Sequence, residues 1–186
     1  MKHLTYLGFL ELGRLGRSPD RRGGLRRGQH RQTVSGHKLV GEKPLVNSMA
    51  TFTVNYKPGT LRAECNGNST TLTTAAKPSK IVLNSWKAYT DAGYPEDVAF
   101  VEILLTDKDG NPCAMSQDEI SVSVKGGKLL AFGNADLREN SDIHDARHKV
   151  YHGRAQAIVK LSKGVKTPVV ITAKSNGINE AKLKLR

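Results

Sequence analysis

Cysteine is scarce: the 186-residue chain holds two, Cys65 and Cys113, far apart and with no second Cys/His pair beside either. That spacing excludes the paired-ligand motifs of structural zinc sites, and it neither requires nor forbids a disulfide, so the redox compartment stays open. Long hydrophobic runs are missing too. No stretch approaches the ~18 apolar residues of a membrane span, so no membrane partner is expected. The opening MKHLTYLGFLELG imitates a secretory signal, but Glu11 interrupts its apolar core and no small-residue cleavage site follows. Phosphate loops, dinucleotide fingerprints and Gly-x-Ser-x-Gly elbows are absent, which leaves common cofactors and acyl-transfer chemistry without a cradle. The chain is also too short for a complete (β/α)8 barrel, which needs roughly 250 residues.

Positive charge is plentiful but uneven. Residues 1–33 hold eight Lys/Arg against two Asp/Glu, so this short arm carries half of the formal +12. Its stretch SPDRRGGLRRGQHRQ has no strand or helix period, is rich in glycine and like charge, and is expected to be disordered. The remaining lysines are scattered among acids, the pattern of a solvated surface rather than a phosphate-tracking face. Nucleic acid is therefore not the expected partner.

From about Thr51 the texture becomes short alternating runs separated by turn residues, the period-2 signature of half-buried strands. TFTVNY alternates Phe52, Val54 and Tyr56; TLRAEC and TLTTA flank Asn66–Asn68, whose chemistry suits a tight hairpin. Pro78 in AKPSK marks a boundary. Beyond it KIVLNS, VAFVEILLTD, EISVSV, KLLAF, RAQAIVKLS, TPVVITAKS and EAKLKLR read as strands, with VAFVEILLTD central and a Gly-Gly turn joining EISVSV to KLLAF. With no convincing amphipathic helix, the fold class is all-β, an immunoglobulin-like antiparallel sandwich. Its expected core is Ile81, Leu83, Val101, Ile103, Leu105, Val122, Val124, Leu130, Ala157, Val159, Val170 and Leu183. A polar connection, residues 134–153, is long enough to be functional.

Three constellations invite a chemical reading. His144, His148 and His152 recur every four residues, as zinc ligands on a helix would, with Asp145 in reach. A β-rich context, the β-branched Val150 and Gly153 oppose that helix, so no metal site is expected. Carboxylates pair at Glu96/Asp97, Asp107/Asp109, Asp118/Glu119 and Asp142/Asp145. Each pair lies in or beside a turn, where Asp ordinarily mimics backbone, so no catalytic residue is assigned. Trp86, Tyr89 and Tyr94 are placed as caps of the sandwich core rather than a sugar platform.

The ordered set FVEILLTDKDGNPC, GGKLLAFGNAD, RHKVYHGRAQAIVKL and ITAKSNG resembles the C-terminal immunoglobulin-like region of glycoside hydrolase family 2, the β-galactosidase type. The matching positions are Asp107–Pro112, Gly127–Asp136, Lys149–Val159 and Ile171–Ile178, and residues from Gly36 onward resemble the end of the preceding sandwich. Ala131 and Ala135 stand where the family often has Gly, and His148 and His152 where it often has Arg and Asn. The resemblance implies a non-catalytic accessory module of a carbohydrate-metabolising enzyme, its partner being the parent's catalytic domain. A stand-alone carbohydrate-binding or adhesin-like sandwich is the alternative, with nucleic-acid binding through the basic N-terminal arm a less favoured third. The family's catalytic glutamates lie in a barrel that this chain does not match, so no catalytic, cofactor or metal residue is carried over. Parent enzymes of the family are often periplasmic or secreted. The expected organisation is 1–35 disordered, 36–77 a partial sandwich and 78–186 the immunoglobulin-like module. Because a one-base shift of suitable codons turns Leu7–Ser35 into a string close to the family's pattern, residues 1–35 are expected to be out-of-frame translation in a gene fragment.

Overall fold

The computed structural model describes residues 29–34, 38–46, 50–65, 68–88, 97–161 and 168–185. They fold into antiparallel strands, with no helix among the described residues. The chain divides into two compact units, residues 1–74 and 75–186.

The first unit is one sheet in the order β2-β1-β3-β4, built from β1 (Gln29–Val34), β2 (Lys38–Pro44), β3 (Thr60–Cys65) and β4 (Asn68–Thr73). The β3–β4 hairpin pairs Cys65 with Asn68 across Asn66-Gly67, as the turn chemistry predicts. Ala63 and Cys65 are its buried side chains. Two expectations are corrected here. Disorder does not extend through residue 35, because β1 pairs with both β2 and β3; ladder bonds use backbone groups, so an open position between two strands accepts a segment without an apolar period. TFTVNY, read as a strand, belongs to no ladder. Its alternating burial is real, with Phe52 and Val54 half-buried. Lys43 secures it: Nζ donates to the Thr51 carbonyl at 2.7 Å and sits 5.3 Å from the Phe52 ring centroid.

The second unit is a sandwich. One sheet has the order β5-β6-β10-β8: β5 (Lys80–Ala88), β6 (Asp97–Thr106), β10 (Arg154–Leu161) and β8 (Gly127–Gly133). The other has the order β12-β11-β7-β9: β12 (Ile178–Leu185), β11 (Val169–Ser175), β7 (Glu119–Lys125) and β9 (Arg147–Lys149). As expected, β6 is interior. Residues from both sheets share one core, including Val101, Ile103 and Leu105 from β6, Ala157 and Val159 from β10, and Ile120, Ile171 and Ala173 from the facing sheet. β10 shows the cause most plainly: Ala155, Ala157, Val159 and Leu161 are buried while Arg154 and Gln156 face out.

Ten of the twelve expected core residues prove correct in kind: Ile81, Val101, Ile103, Leu105, Val122, Ala157 and Val159 are buried, but Leu83, Val124 and Leu183 only pack against the core from partly buried positions. Leu130 and Val170 are corrections. In β11 the inward set is Val169, Ile171 and Ala173, so the period places Val170 on the other face; in β8 Phe132 takes the core. The Gly-Gly turn lies between two strands as expected, but it joins separate sheets. β7 and β8 lie in different sheets, and the chain crosses between them at Gly126, whose φ of 81° no β-branched residue would tolerate.

Ile103 is fully buried at the middle of this core. Ile103→Val removes one methylene from a close-packed site, and chemical denaturation should record a loss of about 1 kcal/mol.

Candidate functional site

The histidines and several of the carboxylates read from the sequence are held in local contacts. The three histidines do not share a helix face, because Arg147–Lys149 is β9 and is flanked by turns. His144 is exposed and its Nδ1 sits 2.7 Å from Asp142 Oδ1. His148 is buried, edge-on to Phe132 with ring centroids 5.2 Å apart; its Nδ1 is 2.8 Å from Ser141 Oγ and its Nε2 3.0 Å from the Asp142 carbonyl. His152 packs on the Tyr151 ring at 4.3 Å and places Nδ1 3.1 Å from the Ala114 carbonyl. Among the described residues no group of three His, Cys, Asp or Glu is arranged to hold a metal.

Several of the carboxylates are similarly engaged. Asp107 is buried and its two oxygens accept from the amides of Ala76, Asp109 and Asn111 and from Asn111 Nδ2, at 2.9–3.0 Å. The Ala76 amide and the Asn111 side chain are foremost in holding this carboxyl far below its ordinary range. Asp109 pairs with Lys108, Asp118 accepts from Ser116 Oγ at 2.6 Å, and Asp142 is held below its ordinary range first by the His144 amide and then by the His144 ring. Glu102 pairs with Arg154, and Glu180 bridges Lys174 and Lys182. Glu96, Tyr89 and Tyr94 lie outside the described residues, as do the side chains of Trp86 and Asp97 and the arm's residues 1–28.

Cys113 is buried and its thiol donates to the Ala76 carbonyl at 3.4 Å; burial, then the nearby Asp107 and Asp118 charges, push it above its ordinary value. Such a thiol is a packing element and not a nucleophile. A shallow, open groove between β7, β9 and the β11–β12 turn presents Glu119, Ser121, Arg147, Lys174 and Asn176. None of the residues that line it is aromatic, so it offers no ring face to a sugar.

Two features of residues 134–153 escape sequence reading. Ser141 and Glu139 join the buried His148 in a hydrogen-bonded chain, with Glu139 Oε1 2.8 Å from Ser141 Oγ. The turn into β10 has positive φ at both central residues, 51° at His152 and 72° at Gly153, the type I′ geometry for which Asn-Gly is the preferred pair. Histidine at the Asn position was the available signal.

Residues 89–184 match glycoside hydrolase family 2 C-terminal domain 5, an assignment that falls within the second unit. The chain belongs to this family. Its glycoside hydrolase relatives are far longer. The chain is 24% identical over 152 residues to the β-galactosidase BoGH2A of Bacteroides ovatus, an alignment spanning 78% of the chain and 18% of that protein. Among solved structures, a glycosyl hydrolase family 2 member from Bacteroides cellulosilyticus superposes with a TM-score of 0.75 at 20% identity, over 85% of the chain and 23% of its own. A β-glycosidase from Bacteroides vulgatus gives 0.74 at 24% identity, over 85% and 21%. The glycoside hydrolase family 2 chain thus spans less than a quarter of each of these relatives.

Proposed function

We propose that this chain is the non-catalytic C-terminal accessory region of a β-galactosidase-like family 2 enzyme, and that it acts by packing against and stabilising the parent's catalytic domain. The observation that carries the reading is the match of the second unit to a C-terminal domain of the family, in relatives of which the chain spans only 18% and 23%. The engagement of five described carboxylates supports it. Asp107, Asp118, Asp142, Glu102 and Glu180 are each committed to a turn, a loop or a surface ion pair, whereas glycoside hydrolysis needs two carboxyls set across a sugar, one of them with its proton retained. The partner is the catalytic domain, and carbohydrate is met by the whole enzyme.

The test mixes the full chain with a family β-galactosidase truncated before its own C-terminal region. The chain alone should turn over no aryl β-galactoside, and the truncated enzyme should gain thermal stability and co-elute with it. Turnover by the chain alone, or failure to form any complex, defeats the proposal.

A further inference from the structure

The long loop between β8 and β9 is closed by hydrogen bonds that run inward from Asn134 to the buried His148 ring. Asn134 Nδ2 donates to the Lys149 carbonyl at 2.8 Å and reaches Glu139 Oε2 at 3.4 Å. Glu139 meets Ser141, Ser141 meets His148 Nδ1, and His148 Nε2 meets the Asp142 carbonyl. Phe132 closes the ring's apolar side, and its own amide donates to the Ile143 carbonyl at 2.7 Å.

Counting hydrogens decides how these contacts are made. A carbonyl oxygen only accepts, so Nε2 carries a hydrogen. A carboxylate only accepts, so Ser141 gives its single hydroxyl hydrogen to Glu139. The contact between Ser141 Oγ and Nδ1 is then filled only by a second ring hydrogen. The extra hydrogen has one other place to sit, on Glu139. However, hydrogen bonds from the Ser141 hydroxyl and then from Asn134 hold that carboxyl below its ordinary range and keep it ionised.

We propose that residues 134–149 form a proton-dependent latch, closed when the buried His148 carries hydrogens on both ring nitrogens and loosened when Nδ1 loses its own. The charged groups about the ring suit this role. Glu139 and Asp142 on the loop both feel the His148 charge, and Asp142 is shared with exposed His144. Arg147 and Lys149 flank His148 on β9 and are exposed. From β7, uncharged Ile120 stands opposite, with Glu119 and Ser121 on either side in register; β8 contributes uncharged Phe132. With Nδ1 bare, the Ser141 hydroxyl serves either Glu139 or His148, and one bond of the closed loop is lost. The loop is therefore tightest at low pH and loosens as pH rises.

The test uses the full chain with nitrogen-15 histidine, following the His148 ring nitrogens and the Phe132 amide from pH 5.5 to 8. The ring should carry two hydrogens wherever the Phe132 amide is fully protected and keep only Nε2–H wherever that protection falls. Protection of the Phe132 amide, corrected for intrinsic exchange, should fall about five-fold, the equivalent of one hydrogen bond. Glu139→Gln supplies the missing hydrogen from outside: its amide donates to Ser141, the hydroxyl turns to a neutral Nδ1, and its oxygen keeps the Asn134 contact. Glu139 is exposed, so this variant folds, and its Phe132 protection should be high and independent of pH. Wild-type protection that ignores pH, a neutral ring with its hydrogen on Nδ1, or a Glu139→Gln variant that keeps the wild-type slope overturns the latch.

Discussion

Gly153→Ala should destabilise the second unit by about 3–5 kcal/mol. Two effects combine at this residue. Its φ of 72° is strained for any residue with a Cβ. A Cβ there would also lie 2.5 Å from the Cys113 carbonyl oxygen and 3.0 Å from the Cys113 carbonyl carbon. Neither side can give way cheaply. The Gly153 carbonyl accepts from the Leu105 amide at 2.8 Å, while Cys113 donates to Leu105 at 2.9 Å and accepts from Ser116 at 2.9 Å. The added methyl would thus wedge two backbone segments that are both bonded to neighbouring chain. Gly177→Ala is the control. Gly177 has the same φ of 72°, but nothing lies within 4 Å of its added Cβ, so its cost should be only the backbone strain, about 1 kcal/mol. Urea denaturation of the two variants separates strain from collision; equal losses would refute the wedge.

The same turn shows what the sequence could and could not reveal. Alternation reports which residues face a core, and it served well where both conditions of a strand, burial and pairing, were met. β10 was legible residue by residue, and the β3–β4 hairpin was legible from Asn66-Gly67. TFTVNY fulfilled only the first condition, so its period was right and its ladder absent. Pairing partners are a long-range property: nothing local in EISVSVKGGKLLAF tells that β7 and β8 separate into opposite sheets, because a hairpin and a crossover use similar glycines. β9 is three residues long and holds its place through Ile120↔His148 pairing with β7, a contact that no window of sequence contains. The family resemblance filled part of that gap by placing the fold as a whole.

The hydrogen-bonded network around His148 was illegible in the sequence. His144, His148 and His152 have even spacing, which suggested a shared face. The structure gives them three different partners in an exposed hydrogen bond, a buried loop anchor and a hairpin turn. Burial separates them: His148 is 4% exposed because β9 turns it onto Phe132, and burial obliges each ring nitrogen to find a partner. That obligation recruits Ser141 and Glu139, residues whose types alone carry no signal in a polar loop.

Asp107→Asn should lower the thermal midpoint at pH 7 by about 10 °C or more, the effect of unpairing several buried donors at once. The side chain is 2% exposed and spends both oxygens on donors: Asp109 and Asn111 amides at Oδ1, the Ala76 amide and Asn111 Nδ2 at Oδ2. These bonds pin the β6 end of the turn to the segment that leads into β5. An asparagine has the same shape, but it turns one acceptor into a donor. Two of the four partners would then face an N–H group, a repulsion that truncation alone would not create. The charge also predicts the pH dependence. The folded carboxyl is held far below its ordinary value of 3.8, so the unfolded chain binds the proton first as pH falls. The stabilisation is therefore fully present above about pH 4 and is lost progressively in stronger acid. The gap between wild type and Asp107→Asn should be constant from pH 7 to 5 and narrow steadily below pH 4 in thermal melts. A gap that persists unchanged at pH 2.5 would mean that the loss comes from the introduced N–H group alone and not from the charge of the carboxylate.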